Sequence, residues 1–203
     1  MKILGITGGV GAGKSEVLNY IEKAYDAIII KADSVAARLL MPGEKAYNGV
    51  RELLPKDVYT DDGMIDNKKM AAVFFNDKNL KESVNSVVFP LVKEEILSII
   101  EVARNNKKSL VVMEAALLIE EHYDKICDEL WFVYATQAVR AERLKESRGY
   151  SEERIRAVMD SQLSDEEFIK GTDVIINNSG DFEAAKDSID KELLRLGVKR
   201  WEQ

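Results

Sequence analysis

The chain has 203 residues, enough to bury a full core without disulfides or a structural metal. Apolar residues make up 46% and charged residues 32%, with only three prolines, which excludes disordered and collagen-like classes. The net charge of −7 disfavours general binding to nucleic acid or anionic membranes, and no apolar run nears the roughly 20 residues that span a bilayer.

Residues 3–7 are a short apolar run of the buried parallel-strand type. Only Met1 and Lys2 precede it, with no signal-peptide pattern, so the expectation is a cytoplasmic protein. Gly8-Gly9-Val10-Gly11-Ala12-Gly13-Lys14-Ser15 follows at once and matches the P-loop pattern G-x-x-x-x-G-K-[ST]. Each part has a physical task. The glycines let successive N–H groups point inward and form an anion nest. The start of the next helix adds partial positive charge. Lys14 can reach the β- and γ-phosphates, and the Ser15 hydroxyl can hold Mg²⁺. Residues 15–24 carry Val17, Leu18 and Ile21 on one helical face, so the motif has a strand before it and a helix after it.

A second strand, 27–30, ends at Lys31-Ala32-Asp33. A carboxylate there can accept the proton of an acceptor hydroxyl or orient it. Asp33 can equally be the N-cap of the helix that follows, and spacing does not separate the two roles. Residues 34–104 hold no clear strand but show helical patterns at 34–40, 45–54, 68–75 and 80–102, so they read as a helical insertion over one edge of the sheet. Within it, Asp61-Asp62 before Gly63 reads as a turn rather than a metal site.

The third strand, 110–113, ends in Glu114. His122 is the only histidine and lies in a polar stretch, with no nucleophile-elbow sequence, which argues against a Ser-His-Asp hydrolase. Cys127 is the only cysteine, so intrachain disulfides and multi-cysteine metal sites are excluded, and it reads as a small buried apolar residue. The fourth strand, 130–134, places Trp131 and Phe132 as core. Residues 137–169 are charged and helical in pattern. Within 140–156, Arg140, Arg143, Arg148, Arg154, Arg156 and Lys145 face four glutamates, six charges against four, a local +2. Arg154 and Arg156 are either phosphate ligands or solvated surface. A fifth strand, 174–176, precedes an amphipathic helix at 181–196, with Leu193, Leu194 and Leu196 for packing.

Strands alternating with helices imply an α/β protein with a parallel sheet. The chain has neither a D-x-x-G switch nor an N-K-x-D guanine reader, which sets regulatory GTPases aside. A P-loop, a helical substrate region and an arginine-rich lid point to a small kinase, because phosphoryl transfer needs cations around the migrating group and closure against water.

The ordered motifs resemble the dephospho-CoA kinase family over essentially the whole chain. They are Gly5-Ile6-Thr7 running into the P-loop, Ala32-Asp33 with Ala37-Arg38, Leu117-Leu118-Ile119-Glu120 after the third strand, Gln137-Ala138-Val139-Arg140-Ala141-Glu142-Arg143 with Gln162 further on, and Asp173-Val174-Ile175-Ile176-Asn177-Asn178-Ser179-Gly180. The resemblance implies ATP-dependent phosphorylation of the ribose 3′-hydroxyl of dephospho-CoA. It also implies one P-loop kinase domain over 1–203, like nucleoside-monophosphate kinases, with a five-stranded parallel sheet flanked by helices. Residues 34–104 would accept the CoA moiety and 137–170 would be the lid. Asp33, Lys14 and Arg140 would be catalytic. ATP would be bound by Gly9, Val10, Gly11, Ala12, Gly13, Lys14, Ser15, Glu16, Arg143, Asn178 and Gly180, the last two near the adenine. Asp33 and Arg38 would contact substrate, and Ser15 would hold Mg²⁺. The implied partners are small molecules, ATP and dephospho-CoA, with no nucleic acid or membrane, and the protein would be a monomer or small homo-oligomer.

Four positions depart from the family pattern. Lys31 replaces the first Asp of D-A-D, Glu16 replaces the Thr after G-K-S, Phe89 replaces the His of His-Pro, and Ala116 replaces the Pro of P-L-L-F-E. The Glu16 carboxylate suits a helix start but repels phosphate, so it should turn outward. These departures keep two other readings open: a P-loop kinase for another small acceptor such as a nucleotide or shikimate, and an ATP-binding module without turnover.

Overall fold

The computed structural model describes residues 1–115 and 117–201. Ala116, one of the four departures, lies outside the described residues. In chain order the elements are β1 (Lys2–Thr7), α1 (Lys14–Ala24), β2 (Ala27–Lys31), α2 (Ala32–Leu39), α3 (Tyr47–Leu53), α4 (Asn67–Asn76), α5 (Lys78–Asn105), β3 (Leu110–Glu114), β4 (Glu129–Tyr134), α6 (Gln137–Arg148), α7 (Glu152–Asp160), α8 (Asp165–Lys170), β5 (Val174–Asn177) and α9 (Phe182–Arg195). All five expected strands form. The chain divides into two compact units, Met1–Ile30 with Ala103–Gln203, and Lys31–Val102.

The first unit carries a five-stranded parallel sheet in the order β2-β3-β1-β4-β5. Register pairs Ile6 with Glu114 on one side of β1 and Thr7 with Phe132 on the other. Trp131 of β4 pairs with Val174 of β5. β1 is therefore central, and the chain leaving it opens into the crevice at the carboxyl ends of the strands, where open α/β sheets bind ligands. The apolar runs of these strands reflect burial on both faces. Leu4, Ile6, Val112, Trp131 and Val133 join Val17, Leu18 and Ile21 of α1 and Ala185, Ile189 and Leu193 of α9 in one core cluster. Leu194 departs from the sequence expectation, since it is 68% exposed. Leu193 takes the core-facing position on α9, and Leu194, one residue on, turns to solvent.

The charged stretch 137–169, helical in pattern, forms three short helices, α6, α7 and α8. α6 stops at Gly149, whose φ of 60° is left-handed, and Ser151 caps α7. Ser164 and Glu167 form a reciprocal capping box that starts α8. The second unit is helical. Val84, Val88, Val92 and Ile96 of α5 are buried at helical spacing, and α5 runs through Pro90. Thr60–Met64 is a tight turn in which the Thr60 hydroxyl donates to Asp62, so Asp61-Asp62 is the turn that the sequence indicated.

Candidate active site

The P-loop starts where β1 ends. Thr7, the last strand residue, is buried, and Gly8 follows with a φ of 147°. A Cβ at Gly8 would collide with the Val133 carbonyl oxygen of β4, so backbone proximity forbids a side chain there. At the far end Gly13 has a φ of 91° and serves as the N-cap of α1 without a side-chain cap. A Cβ at Gly13 would meet the Asn178 amide nitrogen. Lys14 folds back over the loop, and its Nζ donates to Gly8 O at 2.7 Å and Gly9 O at 3.4 Å. Ser15 and Glu16 open the helix on its exposed side, so the Glu16 carboxylate faces outward as expected.

Two arginines of α6 hold this loop. Arg140 is only 5% exposed. Its Nε donates to Val10 O at 2.9 Å, and its Nη2 donates to Gln162 Oε1 at 3.1 Å. Its Nη1 lies 3.7 Å from Asp165 at the start of α8. Burial pulls its pKa below the usual arginine value, partly countered by the Asp165 charge, yet an arginine so placed stays protonated. Arg143 donates to Asn178 O at 2.9 Å and to Ala12 O at 3.3 Å. Asn178, after β5, is fully buried, and its Nδ2 donates to Ala12 O at 3.0 Å. It is therefore bonded directly to the loop. Its Oδ1 and the Thr7 Oγ1 are buried without a hydrogen-bond partner. Gly180 is exposed, and nothing lies within 4 Å of where its Cβ would be.

The loop residues, Lys14, Arg140, Arg143 and Asn178 thus come together in the first unit. Asp33 and Arg38 belong to the second. β2 runs through Lys31, the N-cap of α2 is Lys31, and Asp33 is the second helical residue, exposed. Asp33 is thus not the cap, and its carboxylate is free of that duty while still complementing the helix dipole. Arg38 Nη2 donates to Glu95 Oε1 at 2.6 Å, and its Nη1 lies 3.6 Å from Glu44.

Sequence reasoning noted Gln162 without giving it a role, and it missed Asp165 and Glu95. Ser164-Asp165-Glu166-Glu167 reads as a helix start, so Asp165 carried a local explanation that hid the distant one. His122 is exposed. Cys127 is half-buried, and burial pushes its thiol up to about 12, which leaves it unreactive. Trp131 and Phe132 are buried, and Phe132 stacks on Phe168 with ring centroids 4.8 Å apart. Arg154 and Arg156 are exposed, and Arg154 lies 4.0 Å over the Tyr150 ring.

A glycine-rich loop follows the central strand, with a lysine folded back over it and two arginines donating to its carbonyls. On this sheet, that defines a P-loop kinase. A family model for dephospho-CoA kinase matches residues 2–184, and the chain belongs to the dephospho-CoA kinase family. It is 32% identical over 201 residues to the dephospho-CoA kinase of Carboxydothermus hydrogenoformans, covering 99% of this chain and 97% of that one. It is similar to the crystal structure of TT1252 from Thermus thermophilus, with a TM-score of 0.82 at 26% identity over 96% of this chain and 97% of that one. A dephospho-CoA kinase from Campylobacter jejuni shares the fold, with a TM-score of 0.66 at 22% identity over 96% of each chain.

Proposed function

We propose that this chain transfers the γ-phosphoryl group of ATP to the ribose 3′-hydroxyl of dephospho-CoA, giving coenzyme A and ADP. The observation that carries the reading is the arginine-clamped P-loop, in a chain of the dephospho-CoA kinase family. N–H groups of Gly9, Val10, Gly11, Ala12 and Gly13 would hold phosphate oxygens, and the loop would deliver ATP with Ser15 and Glu16 at its helical end. Lys14 would exchange its carbonyl partners for the β- and γ-phosphates. Arg140 would stabilise charge on the transferring group and Arg143 would assist. Asn178 and Gly180, which follow β5, would lie near the adenine, and Asn178 would also hold the loop through the Ala12 carbonyl.

Asp33 would accept the proton of the attacking 3′-hydroxyl, or hold that hydroxyl in line. Arg38 would contact substrate by giving up part of its pairing with Glu44 and Glu95. Mg²⁺ is the divalent ion that fits. Ser15 offers an exposed hydroxyl oxygen at the start of α1, and Mg²⁺ prefers a few hard protein oxygens completed by phosphate and water. When bound, it would neutralise β,γ-phosphate charge. We read 1–203 as one kinase domain, with 34–104 accepting the CoA moiety and 137–170 acting as lid. The protein would work in the cytoplasm on small molecules, as a monomer or small homo-oligomer, without nucleic acid or membrane. Among the described residues no helix is long and apolar enough to cross a membrane.

The test is ADP release from Mg-ATP with dephospho-CoA, shikimate or nucleoside monophosphates as acceptor. Turnover with dephospho-CoA alone is expected. Turnover on another acceptor, or ATP binding without turnover on any, would overturn the assignment.

A further inference from the structure

Val10 is the P-loop residue whose two backbone groups are both engaged by the lid. Its carbonyl accepts from Arg140 Nε at 2.9 Å, and its N–H donates to Gln162 Oε1 at 2.9 Å. The same Oε1 accepts from Arg140 Nη2 at 3.1 Å. Gln162 lies between α7 and α8, 152 residues from Val10. One oxygen therefore receives an N–H of an anion nest and a guanidinium N–H together. That is the donor set a phosphate oxygen takes. A carboxamide oxygen is neutral and the weaker acceptor, so a phosphate oxygen would displace it. The helix-side N–H groups of a P-loop cradle the inner phosphates, and its lysine reaches the outer ones. Val10 stands three positions before Gly13, the N-cap of α1, on the side of the loop left for the outermost phosphate.

We propose that Gln162 Oε1 is an internal stand-in for an oxygen of the terminal phosphate of a nucleoside triphosphate. A triphosphate must displace it and a diphosphate need not. Displacement frees the segment between α7 and α8 from the P-loop. Arg140 is not stranded by the exchange, because Asp165 stays 3.7 Å from its Nη1 while the phosphate replaces Gln162. Gln162 is thus a positioning residue that couples the lid to the third phosphate, and the inference rests on the proposed nucleotide binding at this loop. A contact made only by the empty protein lowers the affinity of whatever must break it.

Calorimetric titration of the full chain with Mg-ADP and with Mg-bound adenylyl imidodiphosphate, a non-hydrolysable triphosphate, tests this. Gln162→Ala should tighten the triphosphate roughly threefold to tenfold, the scale of one hydrogen bond, and leave ADP nearly unchanged. Gln162→Glu keeps the shape but sets a carboxylate on the same donors, so it should weaken the triphosphate by at least that factor and ADP less. In the wild type, backbone amides of 159–165 should exchange hydrogen faster with the triphosphate than with ADP. Equal shifts for both nucleotides, no shift with either variant, or a weaker triphosphate complex in Gln162→Ala would overturn the proposal and leave nucleotide binding intact. Failure of both nucleotides to bind the wild type would overturn the P-loop reading with it. Should Gln162→Ala not fold, the isosteric variant and the wild-type exchange still decide.

Discussion

Asp33 is exposed and caps nothing, so its substitution separates chemistry from stability cleanly. Asp33→Asn should cut kcat by roughly 10²–10⁴, the range for a removed general base, while nucleotide affinity and Tm barely move. Steady-state kinetics beside an equilibrium ATP titration would check this, and an unchanged kcat would remove Asp33 from the chemistry. Asn178 behaves oppositely, because it is buried and donates its amide to Ala12 O. Asn178→Ala loses that bond and should cost about 1–3 kcal/mol. Asn178→Asp keeps the shape but turns a donor into an acceptor facing a carbonyl oxygen, in a place where a charge is expensive. The aspartate variant should therefore unfold at the lower temperature of the two, and the reverse order in a thermal melt would contradict the support role.

Helix α6 matters as the beam that carries Arg140 and Arg143 to the loop. Its buried Leu144 packs on the loop's own side, since a Cβ at Gly11 would lie 3.2 Å from the Leu144 Cγ. Leu144→Ala should destabilise by about 2–5 kcal/mol in denaturant melts, and it should raise the KM for ATP, because the arginine seat loosens with the helix. A melt shift without any change in KM would mean that the arginines hold their own place. Periodicity made these elements legible in the sequence, since burial repeats every two residues in a strand and nearly every four in a helix. Their joints were less legible. Asp33 reads as a cap only if β2 stops early, and hydrogen bonding in the sheet carries β2 on to Lys31. Likewise 137–169 reads as one charged helical stretch until Gly149 and the two serine caps divide it. Contacts such as Gln162 with Val10 leave no local pattern at all, because only the assembled fold brings their carriers together.

At the scale of the molecule, the P-loop unit is tied shut by Asp190 of α9. Its Oδ1 accepts from Tyr20 at 2.6 Å and from Tyr25 at 2.7 Å, and its Oδ2 accepts from Arg200 at 3.0 Å. α1, α9 and the chain's last described stretch thus meet on one carboxylate, behind the helix whose start forms the phosphate nest. Burial and then the hydrogen bond to Asp190 push the Tyr20 hydroxyl up to about 12, and the same causes raise that of Tyr25 further. A raised folded pKa gives stability that is fully present below the unfolded value near 10 and lost as pH climbs through the folded one. At the acid end the sign reverses. Arg195 holds the Glu129 carboxyl below its usual range, so that contribution is present above about pH 4.5 and lost on further acidification. The stability profile should therefore be flat between these limits and fall on both sides. Tyr25→Phe tests the alkaline limb. Below pH 10 it should cost about 1 kcal/mol, the net value of one hydrogen bond. Above pH 10 the gap to the wild type should narrow, because the phenylalanine has no proton to lose and the wild type does. Chemical denaturation of both proteins from pH 8 to pH 11 would show the convergence, and parallel curves would mean that the hydroxyl keeps its ordinary pKa and does not hold the three segments together.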